Sequence, residues 1–123
     1  MTKLIAWFEI PATDLGRAQT FYQSILGVQM QNLNMGGANL AVFPYERETA
    51  TGGCLLTAPE MKPSADGAVL YLNAGESLDA VLERVPGAGG SVALGRTELP
   101  KDMGCFAHII DPEGNRVGLH AMK

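Results

Sequence analysis

Charge is scarce in this sequence, and cysteine is scarcer. Charged residues fill 18% of the 123 positions, below the roughly 25% usual for soluble domains. The 13 acidic and 9 basic residues leave a formal net charge of −4 and a pI of about 5.0. No Lys/Arg cluster interrupts this balance, which disfavours nucleic acid and anionic membrane surfaces as partners. The two cysteines, Cys54 and Cys105, lie far apart and form no CxxC pair. A disulfide scaffold is thereby excluded, and free thiols in a reducing cytoplasm are expected. The apolar opening Met1–Phe8 meets Glu9 after a few residues, too soon for a signal peptide or a membrane span. There is no nucleophile elbow, zinc-finger spacing or dinucleotide fingerprint.

What remains is a chain with 46% hydrophobic residues, too apolar for disorder and long enough to bury a core. Leu4–Ile10 reads as a strand ended by Pro11. Thr13 suits a helix N-cap, and Asp14 suits the positive end of the helix dipole. Leu15, Ala18, Tyr22, Ile25 and Leu26 follow at helical spacing up to Gly27, a C-cap glycine. Strands are expected at Val28–Leu33, Leu40–Tyr45 and Cys54–Thr57, with Gly36-Gly37 and Gly52-Gly53 as turns.

After a polar connector around Pro59–Gly67 the order repeats. Val69–Leu72 reads as a strand, and Ser77 caps a helix that presents Leu78, Val81, Leu82 and Val85 on one face. Gly87-Ala88-Gly89-Gly90 follows that helix, so its amides cannot cradle phosphate at a helix start. Ser91–Leu94, Cys105–Ile110 and Arg116–Ala121 complete the set, the last two joined by the turn Asp111-Pro112-Glu113-Gly114-Asn115. The fold class is therefore α+β: one domain over 1–123, built of two βαβββ modules at about 1–58 and 67–123. A unit this small cannot bury one sheet face alone, so pairing is required, and a cleft between curved sheets suits a small ligand.

Three stretches carry a resemblance: Phe8–Tyr22 with Ile25-Leu26-Gly27, Val69–Asn73 with Gly89-Gly90, and Phe106–His120 through Asp111-Pro112-Glu113-Gly114-Asn115. In these the chain resembles the vicinal oxygen chelate superfamily, which groups glyoxalase I, bleomycin-resistance and fosfomycin-resistance proteins and extradiol dioxygenases. The resemblance implies the glyoxalase/bleomycin-resistance/dihydroxybiphenyl-dioxygenase fold and assembly as a homodimer. In metal-using relatives it implies a divalent ion held by His, Glu or Gln. Those ligand positions fall here on Trp7, the strand Gly53–Leu56 where Cys54 is the one soft donor, Val69 or Leu70, and Gly118. No metal is therefore expected at the usual positions, and no other cofactor; a divalent ion would need other ligands.

On alternating strands Glu9 shares a face with Trp7, and His120 with Gly118. The family pairing would bring Glu9 and His120 to one cleft, as a buried ion pair or as candidate catalytic groups for proton transfer. Trp7, Phe43, Tyr71 and Phe106 are the candidate apolar walls of a ligand site. His108 either faces the cleft or packs beside the turn, and Cys105 either fills core or approaches a ligand. The leading expectation is a metal-free protein that encloses a small organic molecule. The alternative is a lyase, isomerase or dioxygenase of the glyoxalase type using Glu9 and His120, for protons or as a displaced metal site. A third is a dimeric accessory protein with no ligand.

Overall fold

The computed structural model describes residues 3–123; Met1 and Thr2, the start of the expected first module, lie outside the described residues. Ten elements follow in order: β1 (Trp7–Pro11), α1 (Leu15–Leu26), β2 (Gln31–Met35), β3 (Ala38–Val42), β4 (Gly52–Leu56), β5 (Tyr71–Asn73), α2 (Leu78–Arg84), β6 (Ser91–Glu98), β7 (Cys105–Ile110) and β8 (Arg116–Ala121). They build two four-stranded sheets, ordered β1-β4-β3-β2 and β5-β8-β7-β6. In each sheet the module's first strand pairs parallel with its last, and the other pairs are antiparallel. The expected repeat of strand, helix and three strands is thus the observed fold.

Local chemistry explains most boundaries. The α1 N-cap is Asp14, whose carboxylate accepts the Arg17 amide at 3.1 Å. This corrects the expectation for Thr13, whose own amide donates to Glu113. Gly27 closes α1 at φ 66, in the left-handed region that glycine enters without steric cost. Ser77 caps α2 as expected, accepting from the Ala80 amide. The first strand starts later than the expected Leu4, and β2 runs from Gln31, past Leu33, to the turn at Gly36-Gly37.

Gly52-Gly53 is not a turn. Both glycines lie inside β4, because the Tyr45 ring covers Gly52 and the Phe8 ring covers Gly53 where a Cβ would stand. The reversal occurs instead in the loop before them, at residues 47–50. Glycine in a strand often marks such close approach.

One core joins the modules. It contains Phe21, Tyr22 and Ile25 of α1, Leu78 and Val81 of α2, and inward residues of both sheets such as Ile10, Leu55, Ile109 and Leu119. Both helices therefore cover one side, and each sheet keeps a face without a helix. On the first sheet that face holds Trp7 and Glu9, and a small separate cluster of Leu40, Cys54 and Leu56, partly roofed by Ala58 and Met61 of the connector. On the second sheet it holds Tyr71, Phe106, His108, Arg116 and His120, the less buried positions of alternating strands.

Candidate functional site

The motif that most marks the sequence, Asp111-Pro112-Glu113-Gly114-Asn115, does not face this open surface. It clamps the second module to the first. Asp111 Oδ1 accepts the amides of Glu113 and Asn115, each at 2.9 Å, and shapes the turn. Its Oδ2 accepts the Tyr22 hydroxyl at 2.6 Å and Asn115 Nδ2 at 3.1 Å. Asn115 Nδ2 also donates to the Pro11 carbonyl at 2.7 Å, and its oxygen accepts the Ser64 amide. Asp111 and Asn115 are the polar residues buried in the core, at 3% and 5% exposure. Burial, with Asp111 beside it, pushes the Tyr22 phenol well above its ordinary pKa.

Glu113 completes the clamp at the N-terminus of α1. Its carboxylate accepts the Thr13 and Asp14 amides at 2.8 Å each and the Arg17 guanidinium at 2.6 Å. Burial would raise its pKa, but the Arg17 hydrogen bond and the two amides outweigh that and hold it below the ordinary value. Residues that carried the resemblance, from Asp14, Arg17 and Tyr22 to Asn115, thus hold the modules together. That explains why the pattern identifies an architecture and not a reaction.

The open face carries the chemistry. On the second sheet the Tyr71 ring lies over Gly118, occupying the space a side chain there would need. Tyr71, Phe106 and His108 form a triangle of rings with centroids 5.4–5.9 Å apart. The Tyr71 hydroxyl and His108 Nε2 are 2.6 Å apart, and Arg116 Nη1 approaches His108 Nδ1 at 3.1 Å. A cavity of about 310 Å³ opens here, lined by Tyr71, Leu99, Phe106 and His120. A second, of about 390 Å³, runs between the modules from Phe8 and Tyr45 to Tyr71 and Asn73. On the first sheet a third, of about 370 Å³, is lined by Trp7, Leu33, Met35, Val42 and Tyr45.

All four residues expected to wall a ligand site line one of these cavities. Trp7 and Tyr71 are open to it, at 40% and 51% exposure. Phe106 is half-buried. Phe43 is mostly core, packed on Phe8 and Tyr22 with only an edge at the cavities.

The structure does not bring Glu9 and His120 together as a buried pair. Glu9 is exposed and lines a polar cavity with Lys62, Asp66 and Arg116. His120 lines the cavity under Tyr71, and its Nε2 donates to the Met103 carbonyl at 2.8 Å. The reason is register: β1 and β8 belong to separate sheets, with Glu9 opposite Cys54 and His120 opposite Asn73 and Phe106. Cys105 resolves as core, fully buried with its thiol toward the Ala121 carbonyl.

The donor set at the superfamily's metal positions does not fit an ion. Trp7 offers no lone pair, and the space beside Gly118 is filled by the Tyr71 ring. Cys54 is fully buried, and burial, reinforced by the charge of Glu9 and opposed by a hydrogen bond from Trp7, pushes its thiol up to about 11. Among the described residues no three His, Cys, Asp or Glu side chains are grouped to hold a metal. His108 and Arg116 were the residues that the sequence did not bring together. The signal was present: a tight turn at 111–115 pairs His108 with Gly118, setting Arg116 diagonally beside it on the same face.

Comparison with known proteins agrees with this architecture. A family described as "Bleomycin resistance protein-like N-terminal" matches residues 5–43. Proteins of Mycobacterium bovis and Mycobacterium tuberculosis named "Putative glyoxylase CFP32" are 30% identical over 118 residues, 92% of this chain. The chain spans only 43% of their length. Among solved structures, a glyoxalase/bleomycin resistance protein from Albidiferax ferrireducens superposes with a TM-score of 0.71 at 18% identity, over 97% of this chain and 98% of that one. TnmS3, an antibiotic-binding protein from a Streptomyces species, gives 0.65 at 22% identity, over 98% of both chains. At these identities the structures share the fold.

Proposed function

From the premise that this chain belongs to the vicinal oxygen chelate superfamily, we propose that it binds a small, flat organic molecule on its helix-free face, without a metal at the superfamily's usual positions. The observation that carries this reading is the aromatic floor of Tyr71, Phe106 and His108 beside a cavity of about 310 Å³. Exposed rings on a rigid sheet offer apolar area and offset or edge-to-face stacking at little entropic cost. The neighbour TnmS3, an antibiotic-binding protein of the same fold, supports a small-molecule ligand. The Tyr71 ring over Gly118 argues against an ion there, since its plane occupies the direction a ligand side chain would take.

The glyoxalase-type enzyme is the second reading, favoured by the curated relatives' name. It needs Glu9 and His120 to share a substrate, and the two line separate cavities. The binding protein is therefore the preferred conclusion. Two free, fully buried cysteines suit a reducing cytoplasm. The exposed Leu33 and Met35 of the edge strand β2 suit burial in a homodimer.

The test is a thermal-shift screen of planar aromatic compounds, run with and without chelator. A ligand of the native state must raise the melting temperature, by mass action. Stabilisation that chelator leaves intact and that Phe106→Ala abolishes is the expected result. Stoichiometric metal in protein purified without chelator would refute the metal-free reading.

A further inference from the structure

Resting on the reading that a small molecule binds this face, we infer that Arg116, His108 and Tyr71 form a directed donor chain that selects ligands bearing an acceptor oxygen. Proton count sets the direction of this chain. Guanidinium nitrogens only donate, so Arg116 Nη1, 3.1 Å from His108 Nδ1, requires a lone pair on that nitrogen. The His108 proton must then sit on Nε2. Nε2 lies 2.6 Å from the Tyr71 oxygen, so the imidazole donates and the phenol accepts.

This leaves the Tyr71 hydroxyl proton without a partner among the described residues, on a side chain that is 51% exposed at the mouth of two cavities. The reverse wiring, with Tyr71 donating to Nε2, would put a proton on Nδ1 facing an Arg116 proton across 3.1 Å. A doubly protonated ring meets the same clash. Only the Nε2–H tautomer satisfies both contacts. The other imidazole on this face, His120, makes its contact with the Met103 carbonyl and none with the Tyr71 hydroxyl.

The chain therefore presents a fixed O–H donor over an aromatic floor. Its ligand class is a planar molecule with a carbonyl, carboxylate or phenolate oxygen at its rim. Arg116 is a positioning residue: it acts through His108 and sets the direction of the Tyr71 proton.

Two measurements test this. Nitrogen-15 histidine spectra, simple to assign because the chain has 2 histidines, should show His108 protonated on Nε2 and bare on Nδ1. Protonation on Nδ1 in the ligand-free protein overturns the inference, whatever binds. Titrations followed by the Tyr71 and Phe106 ring signals then compare 1-indanone with indane, two flat bicycles differing in one carbonyl. Wild type should prefer indanone by about 3- to 10-fold, the worth of one net hydrogen bond. Tyr71→Phe should erase that preference, read as the ratio of the two affinities within each protein. Arg116→Met should erase it as well, although the phenol is still present, because the freed imidazole can turn its Nε2 lone pair toward Tyr71. A preference that survives Arg116→Met refutes the donor chain. Equal wild-type binding of both probes also refutes it but leaves the binding site standing; if neither probe moves the ring signals, the binding reading fails first and this inference with it.

Discussion

Replacing Asp111 with alanine should cost this protein much of its stability, through donors left without acceptors. The carboxylate is 3% exposed and accepts four hydrogen bonds, from the Glu113 and Asn115 amides, Asn115 Nδ2 and the Tyr22 hydroxyl. Asn115 keeps a second acceptor in the Pro11 carbonyl, but the Tyr22 hydroxyl has no other among the described residues. Stranded buried donors cost about 1–3 kcal/mol each. With the Tyr22 hydroxyl and the two turn amides affected, and water able to reach the half-buried Glu113, we expect a loss of about 3–5 kcal/mol. A domain of this size has about 5–15 kcal/mol in total. Urea unfolding, followed by circular dichroism and the fluorescence of the single tryptophan, measures it. The sharper test is a double-mutant cycle. Tyr22→Phe should destabilise the wild type by about 1–2 kcal/mol, since it removes a donor from a buried carboxylate. In the Asp111→Ala background the same substitution should be neutral or stabilising, because it removes the orphaned hydroxyl. An equal cost in both backgrounds would refute the clamp, as would a loss below about 1 kcal/mol for Asp111→Ala.

Three further expectations concern other parts of the molecule. Because the native Glu113 carboxyl titrates below its ordinary value, its stabilisation is present above the unfolded carboxylate range near pH ~4.3 and is lost as pH falls through the lower native value. Melting temperature against pH should therefore fall more steeply on the acid side for wild type than for Glu113→Gln. Gly118→Ala should displace the Tyr71 ring that covers it and cost about 1–3 kcal/mol by overpacking, read by urea unfolding, with a shifted His108 resonance as the local sign. Finally, Cys54 and Cys105 are both 0% exposed, and the Cys54 thiol lies up at about 11. A thiol reagent at pH 8 should leave both unmodified in the native protein and label both in denaturant.

The open-face chemistry was only half legible in the sequence. Alternation placed Trp7 with Glu9 and Gly118 with His120 correctly, because a strand's period of two is a local property. It could not say that Glu9 and His120 would end in different cavities, since that depends on how two separate sheets sit on one core. Gly52-Gly53 shows the same limit. Two glycines read locally as a turn, yet rings from Tyr45 and Phe8, 7 and 45 residues away in the chain, need that space and make them strand.

By itself the sequence determined the elements: caps at Ser77 and Gly27, the turn at 111–115, helical spacing from Leu15 to Leu26, and the repeat of one module. These are set by neighbours a few residues apart, whose sterics and hydrogen bonds act before any long-range contact forms. Only the tertiary structure decided what the charged and polar residues do. It turned the Asp111–Asn115 motif inward to Tyr22 and Pro11 as a clamp between modules. It brought Arg116, His108 and Tyr71 into one chain of contacts. Hydrogen bonds of 2.6–3.1 Å join residues up to 104 positions apart in these two groups, and no periodicity in a one-dimensional pattern encodes a meeting of that kind.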